Sequence, residues 1–263
     1  MRRALSTASI GWSSSITFAT LGTAITTLVL VPGLNVLFTV LLGADLAAND
    51  TVRIGCASAL IATLSSVAAG IVARVATDRW IGVFEYVCTA RPVDAGYWLG
   101  AAAVPALLAS VTGLSNVGIV WLLSLTAPST GAASGLLIGA IALMPVAVLG
   151  GVCLGIFAAG LGLYLSDPYT GSNFLSIILP VSAGVIVPVS TYPGWLAWLC
   201  SWVPGSRLVQ ALDTSGGIAS TAPDLFALLA ADTALAVLYA AIGLGLTVLA
   251  ARRIRAGARA SLL

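Results

Sequence analysis

Two long stretches of this chain, Ala4 to Ala44 and Ala95 to Ser166, contain no charged residue at all. A soluble domain cannot be written that way, because about a quarter of its residues are Asp, Glu, Lys or Arg. Here 8% of residues are charged and 59% are hydrophobic, which predicts an all-α, polytopic membrane protein whose backbone polar groups are satisfied inside helices. A hydrocarbon core of about 30 Å takes about 20 helical residues, so both stretches exceed one crossing.

Polar punctuation divides the chain into spans. Residues 1–15, rich in Ser and Thr, place Leu5, Trp12 and Ile16 on one face, as in a helix lying in the membrane interface with Arg2 and Arg3 among the headgroups. This start has the look of a signal peptide, but no small-residue cleavage site follows, so it is expected to be retained. The first span is then 16–42, bent at Pro32-Gly33, and a polar loop from Asp45 to Arg53 leads to the second, 54–76. Ala127-Pro-Ser-Thr-Gly131 splits the next block into spans 97–125 and 132–165, the latter with kinks expected at Pro145 and Gly150-Gly151. Asp167-Pro168 closes it, a short fifth span covers 174–189, and the sixth covers 225–251. Neither an internal repeat nor a linker suggests a second domain.

Orientation follows from arginine. With both termini in the cytoplasm, Arg2, Arg3, Arg74, Arg79, Arg91, Arg252, Arg253, Arg255 and Arg259 lie inside and only Arg53 and Arg207 outside, as the positive-inside bias requires. The expected location is the inner, or plasma, membrane. High Ala and Arg with no Lys points to a bacterial source of high GC content, in which the glycosylation-like Asn49-Asp50-Thr51 is a chance match.

Between spans two and three runs the longest charged interval, Asp78 to Asp94. Residues 78–88 have helical spacing, with Ile81, Phe84 and Val87 or Cys88 on one face and Asp78, Arg79 and Glu85 elsewhere, and Pro92 stops the helix. Between spans five and six, Tyr192 to Pro204 is apolar, bracketed by proline and too short to cross. Its Trp195, Trp198 and Trp202 fall on one helical face suited to the headgroup boundary.

Both segments carry a resemblance. Asp78-Arg79, Gly82, Glu85 and Arg91-Pro92 in that order resemble the intracellular loop of type-2 ABC exporter permeases, with Arg-Pro standing where Thr-Pro or Ser-Pro is usual. Ser182-Ala-Gly-Val-Ile-Val-Pro-Val-Ser190, Tyr192-Pro-Gly-Trp195 and Trp202-Val-Pro-Gly-Ser-Arg-Leu-Val-Gln-Ala-Leu212 resemble that family's fifth span and re-entrant outer segment. The resemblance implies a coupling helix at Asp78, Arg79, Gly82, Glu85, Arg91 and Pro92 that docks on a partner ATPase, Glu85 meeting a basic group and Gly82 allowing close approach. It implies a re-entrant segment over 192–212, with Trp195, Trp198 and Trp202 shaping the exit. The partners implied are two ATPase subunits and a second permease copy, identical or paralogous, within the bilayer. By family analogy the path is lined from spans two and five, which makes Ser65, Ser66, Asn173, Ser176 and Ser182 its candidates, for a drug-like amphiphile, peptide, lipid or glycan.

The residues themselves limit the chemistry. Without His the chain lacks the commonest general base and metal ligand, and Cys56, Cys88, Cys153 and Cys200 stand too far apart for a zinc or dithiol motif, so they read as apolar fillers. No Walker A motif is possible without Lys, so ATP and Mg would be bound by the partner and not by this chain, and no catalytic site is expected in it. The arginines form no basic patch of the kind that binds nucleic acid. Asp232, two turns into the sixth span, could pair with Arg207, snorkel or touch substrate. An ion-coupled secondary carrier or a non-transporting membrane scaffold are the competing readings; the first would need intramembrane acids, of which Asp232 is the candidate.

Overall fold

The computed structural model describes residues 12, 20–45, 51–90, 95–125, 132–215 and 225–256, and among them the secondary structure is helical throughout. Helices α1 (Leu21–Ile25) and α2 (Val31–Asp45) are joined by a π-helical turn over Thr26–Leu30. They are followed by α3 (Thr51–Trp80), α4 (Val83–Ala90), α5 (Ala95–Ser124), α6 (Ala132–Gly162), α7 (Thr170–Ser182), α8 (Gly194–Cys200), α9 (Ser206–Ser215) and α10 (Leu225–Arg255). Among the described residues, five segments are long and apolar enough to cross a bilayer: Leu21–Gly43, Thr51–Trp80, Gly96–Ser124, Ala133–Gly162 and Leu225–Arg255. The protein is therefore a multi-pass membrane protein.

The first predicted bend takes a specific form. Pro32 has no N–H and its ring crowds the carbonyl four residues back, and the helix widens into the π turn just before it, where the Val31 N–H donates to Thr26 O. In α6 neither Pro145 nor the Gly pair breaks the helix, which runs unbroken from Ala132 to Gly162.

Helix α3 is the most enclosed of the five and packs against α2, α5, α6, α7 and α9. Its Ala, Ile, Leu and Val side chains, from Ile54 to Val75, contribute to both apolar clusters of the core. Helix α10 lies along α6 at a backbone-to-backbone contact: a Cβ on Gly243 would fall 2.5 Å from Phe157 Cα, and one on Gly160 would fall 2.5 Å from Gly243 O. Small residues replace the hydrophobic effect here, because lipid is as apolar as a core and close van der Waals contact is what brings helices together.

The fifth predicted span is corrected. Helix α7 starts at Thr170 and stops at Ser182, so its 13 residues measure about 20 Å at 1.5 Å each and fall short of a hydrocarbon core. It ends because Gly184 takes a positive φ of 70° and the carbonyls of Gly184 and Val185 turn away to bond Arg53. The chain still passes from one end of the bundle to the other: Gly171 packs on Ala158 near the end of α6, whereas residues 184 and 185 meet the start of α3. Of the expected interfacial helix over 1–15 only Trp12 lies within the described residues, and Arg91, Pro92 and Asp94 lie outside them.

Candidate functional site

The two irregular stretches sit at opposite ends of the bundle, one beyond the last turn of α3, the other against its first turns.

At the first end, the single helix predicted for 78–88 is two helices. Helix α3 continues through Asp78 and Arg79 to Trp80, the chain turns at Ile81-Gly82, and α4 begins at Val83. Gly82 has φ 75°, its N–H donates to Arg79 O at 3.1 Å, and its carbonyl accepts from Tyr86 N–H at 3.3 Å. It thus ends one helix in the left-handed conformation and starts the next. A Cβ on Gly82 would meet nothing of this chain within 4 Å, so within the chain it is the left-handed backbone that favours glycine there.

This connector is mounted firmly. Phe84 is wholly buried and its ring meets Tyr97 edge-on at 6.3 Å. The Tyr97 hydroxyl donates to Asp78 at 3.0 Å, and Asp78 also pairs with Arg74 one turn back at 3.5 Å. Arg79 donates to the carbonyls of Gly162 and Leu165 at 2.8 and 2.9 Å, capping the end of α6 with positive charge. Arg255 Nε donates to the Cys88 carbonyl at 2.9 Å, and the Arg253 guanidinium stands over Tyr164 at 5.3 Å. Burial, aided by Glu85 and opposed by Arg255, pushes the Cys88 thiol up to about 11.

The far side of the connector is bare. Trp80 is 94% exposed and Tyr86 74%, with Ile81 and Val83 also exposed. Beside them a cavity of 550 Å³ is lined by Arg79, Trp80 and half-buried Glu85 on one side and by Asp167, Pro168 and Tyr169 on the other. Of the apolar face expected from spacing, Phe84 and Cys88 are buried but Ile81 is not, because the turn at Gly82 rotates it away.

At the other end, a 3₁₀ turn over Val189–Thr191 leads into the predicted 192–212 segment, which is built from α8, a turn and α9. It folds back into the bundle: Gly205 lies against Ile61 and Leu64 of α3, and Tyr239 of α10 donates to the Trp202 carbonyl at 3.1 Å. Trp195, Trp198 and Trp202 are all exposed, with Trp198 and Trp202 edge-to-face at 6.1 Å. Two buried charges fasten the hairpin. Arg53 donates to both carboxylate oxygens of Asp213, at 2.7 and 3.0 Å, and to Val185 O and Gly184 O. Asp232 accepts from the Gly205 N–H at 3.0 Å and from the backbone of Arg207, at the positive end of α9.

The expected Asp232–Arg207 partnership is thus made through the backbone of residues 205 and 207. Arg53, expected in a polar loop, is instead buried inside α3. Spacing could not show it, because its partner lies 160 residues away. The path candidates do not converge. Ser66, Asn173 and Ser176 are exposed, Ser65 is half-buried and Ser182 buried, and the hydroxyls of Ser65, Ser176 and Ser182 donate to carbonyls three residues back in their own helices. Asn116 escaped sequence reading altogether: it is fully buried on α5, and neither amide atom has a hydrogen-bond partner. All four cysteines are buried and outside any disulfide, and among the described residues no three His, Cys, Asp or Glu side chains group as metal ligands would.

Comparison with known proteins finds no family model that matches the chain and no curated protein that matches it.

Proposed function

We propose that the chain is the membrane-spanning subunit of an ATP-driven exporter of the type-2 ABC class, working as a pair with two separate ATPase subunits that bind ATP and Mg. The observation that carries this reading is the connector, a bare aromatic surface on a fixed mount. Trp80 and Tyr86 present exposed rings while Phe84, Cys88, Asp78 and Arg79 tie the same element to α5, α6 and α10. A helix that only rested on the membrane surface would turn its apolar side to lipid and would need no such network. A rigid element with an exposed aromatic and acidic face is what a push from a partner subunit requires, since force reaches the spans only through fixed contacts.

In this reading the connector end is cytoplasmic, which agrees with Arg74, Arg79, Arg252, Arg253 and Arg255 gathering there, and the short α7 with its hairpin takes the place of a sixth span. Glu85 and Asp167 at the connector cavity offer acidic groups to a basic residue of the ATPase. The substrate is a drug-like amphiphile, peptide, lipid or glycan.

The test is co-purification with the ATPase encoded beside it. Glu85→Arg is expected to loosen the complex and uncouple ATP hydrolysis while the permease itself stays folded. Full complex stability together with full coupled hydrolysis in that variant overturns the assignment.

A further inference from the structure

The hairpin end holds a second cavity, a notch of 390 Å³ between α8, the start of α9 and the side of α10, lined by Trp198, Trp202, Arg207, Ala234, Leu235 and Leu238. Its depth in the membrane can be counted. Arg252 and Arg253 are exposed at the far end of α10 and mark one edge of the hydrocarbon. About 20 residues back at 1.5 Å each spans the hydrocarbon core and brings the other edge to Asp232. Asp232 is bonded to Gly205 and the backbone of Arg207, so the mouth of the notch stands at the headgroup boundary. Ala234, Leu235 and Leu238 continue from there into the hydrocarbon.

The chemistry is graded in the same direction. At the boundary are two exposed indoles and one half-buried guanidinium close enough to the Asp232 carboxylate to interact with its charge. That carboxylate is 2% exposed and turned onto backbone N–H groups, so it offers little to a ligand in the notch, whereas Arg207 lines the notch directly. Below the boundary the wall is Ala and Leu alone. A soluble anion would find no use for the apolar floor, and an uncharged chain none for Arg207.

We infer that this notch is a binding site for a single anionic phospholipid, its phosphate on Arg207, its glycerol region against Trp198 and Trp202, and one acyl chain along Ala234, Leu235 and Leu238. The site does not depend on the transport reading, since it needs only the bilayer. Its consequence is mechanical: beside the Tyr239–Trp202 and Gly205–Asp232 hydrogen bonds, the lipid fills the notch between α8 and α10 and adds to the hold of the hairpin on the last helix.

Trp fluorescence and native mass spectrometry test it. A variant keeping only Trp198 and Trp202, the other five tryptophans replaced by Phe, is placed in nanodiscs with brominated phosphatidylglycerol or brominated phosphatidylcholine at equal mole fraction. A preference of about fivefold for phosphatidylglycerol is expected, the worth of one basic residue at an anionic surface. Arg207→Gln should abolish that preference and Arg207→Lys keep most of it. The unmodified protein should retain one phosphatidylglycerol in the mass spectrometer, and the Arg207→Gln protein none. Equal quenching by the two lipids, or a preference that survives Arg207→Gln, reduces the indoles to a general interface anchor and overturns the site. Displacement of the lipid by aqueous glycerol phosphate overturns it too, in favour of a plain anion site.

Discussion

The connector and the hairpin are both short helices turned at a glycine of positive φ, Gly82 in one and Gly205 in the other, and each has a buried carboxylate, Asp78 in one and Asp232 in the other, but their arginines fasten them differently. At the connector, arginines donate to free carbonyls at helix ends: Arg79 to the end of α6 and Arg255 to Cys88 near the end of α4. Each such contact lies near the surface, and water can replace it when it is lost. At the hairpin, Arg53 and Asp213 form an ion pair whose side chains are 6% and 18% exposed, and Asp232 is fully enclosed. These groups are largely shielded from water. The difference teaches what each end can lose. The connector keeps its mount when one peripheral contact is lost, because Phe84 stays seated and the freed carbonyl can be hydrated, whereas the hairpin depends on charges that are costly to strand.

The largest test of that contrast is Arg53→Ala, which leaves Asp213 and the carbonyls of residues 184 and 185 without their donor. It is expected to cost about 3–5 kcal/mol, as breaking a buried pair does. Arg79→Ala should cost about 1 kcal/mol, because the carbonyls it frees can be hydrated. Thermal unfolding of the two variants in the same lipid should show a several-fold larger drop in Tm for Arg53→Ala, and equal drops would end the comparison.

Next in size is Asp232→Leu, which removes the acceptor for the Gly205 N–H and should cost about 1–3 kcal/mol. Hydrogen exchange locates the damage: amides from Gly205 to Ser215 should lose protection while those of α4 keep theirs. Loss of protection at both ends would mean that α10 transmits strain along its whole length. Gly82→Ala should cost about 1–2 kcal/mol, because a Cβ opposes the left-handed conformation although the space beside it is open. A variant as stable as the parent would show that the connector can turn without a positive φ.

The smallest effect is a pH dependence. With the Cys88 thiol pushed up to about 11 against an ordinary 9.0, the folded state holds its proton where the unfolded state releases it. Stability contributed by the neutral thiol is therefore complete below pH 9 and declines as pH climbs from there toward 11. At pH 8 a maleimide should leave Cys88 unmodified in the folded protein, and rapid labelling would show the connector opening away from α10.

The sequence by itself determined the class and most of the helices, since 8% charge and uncharged runs of this length admit only spans, and the spans read at 97–125 and 132–165 are observed as Ala95–Ser124 and Ala132–Gly162. It located both irregular segments through proline, glycine and tryptophan, whose local effects act within a turn of the residue itself. Where it stopped short, the cause was distance along the chain. The end of α7 at Ser182 and the burial of Arg53 inside α3 depend on one another across 130 residues or more, and no local pattern records such a pair. Gly82 shows the same limit at short range: its presence was legible, but its left-handed conformation and the open space beside it within the chain appear only once the turn is formed. A sequence states which side chains must leave water; which polar groups meet once they have done so is settled by how the helices cross.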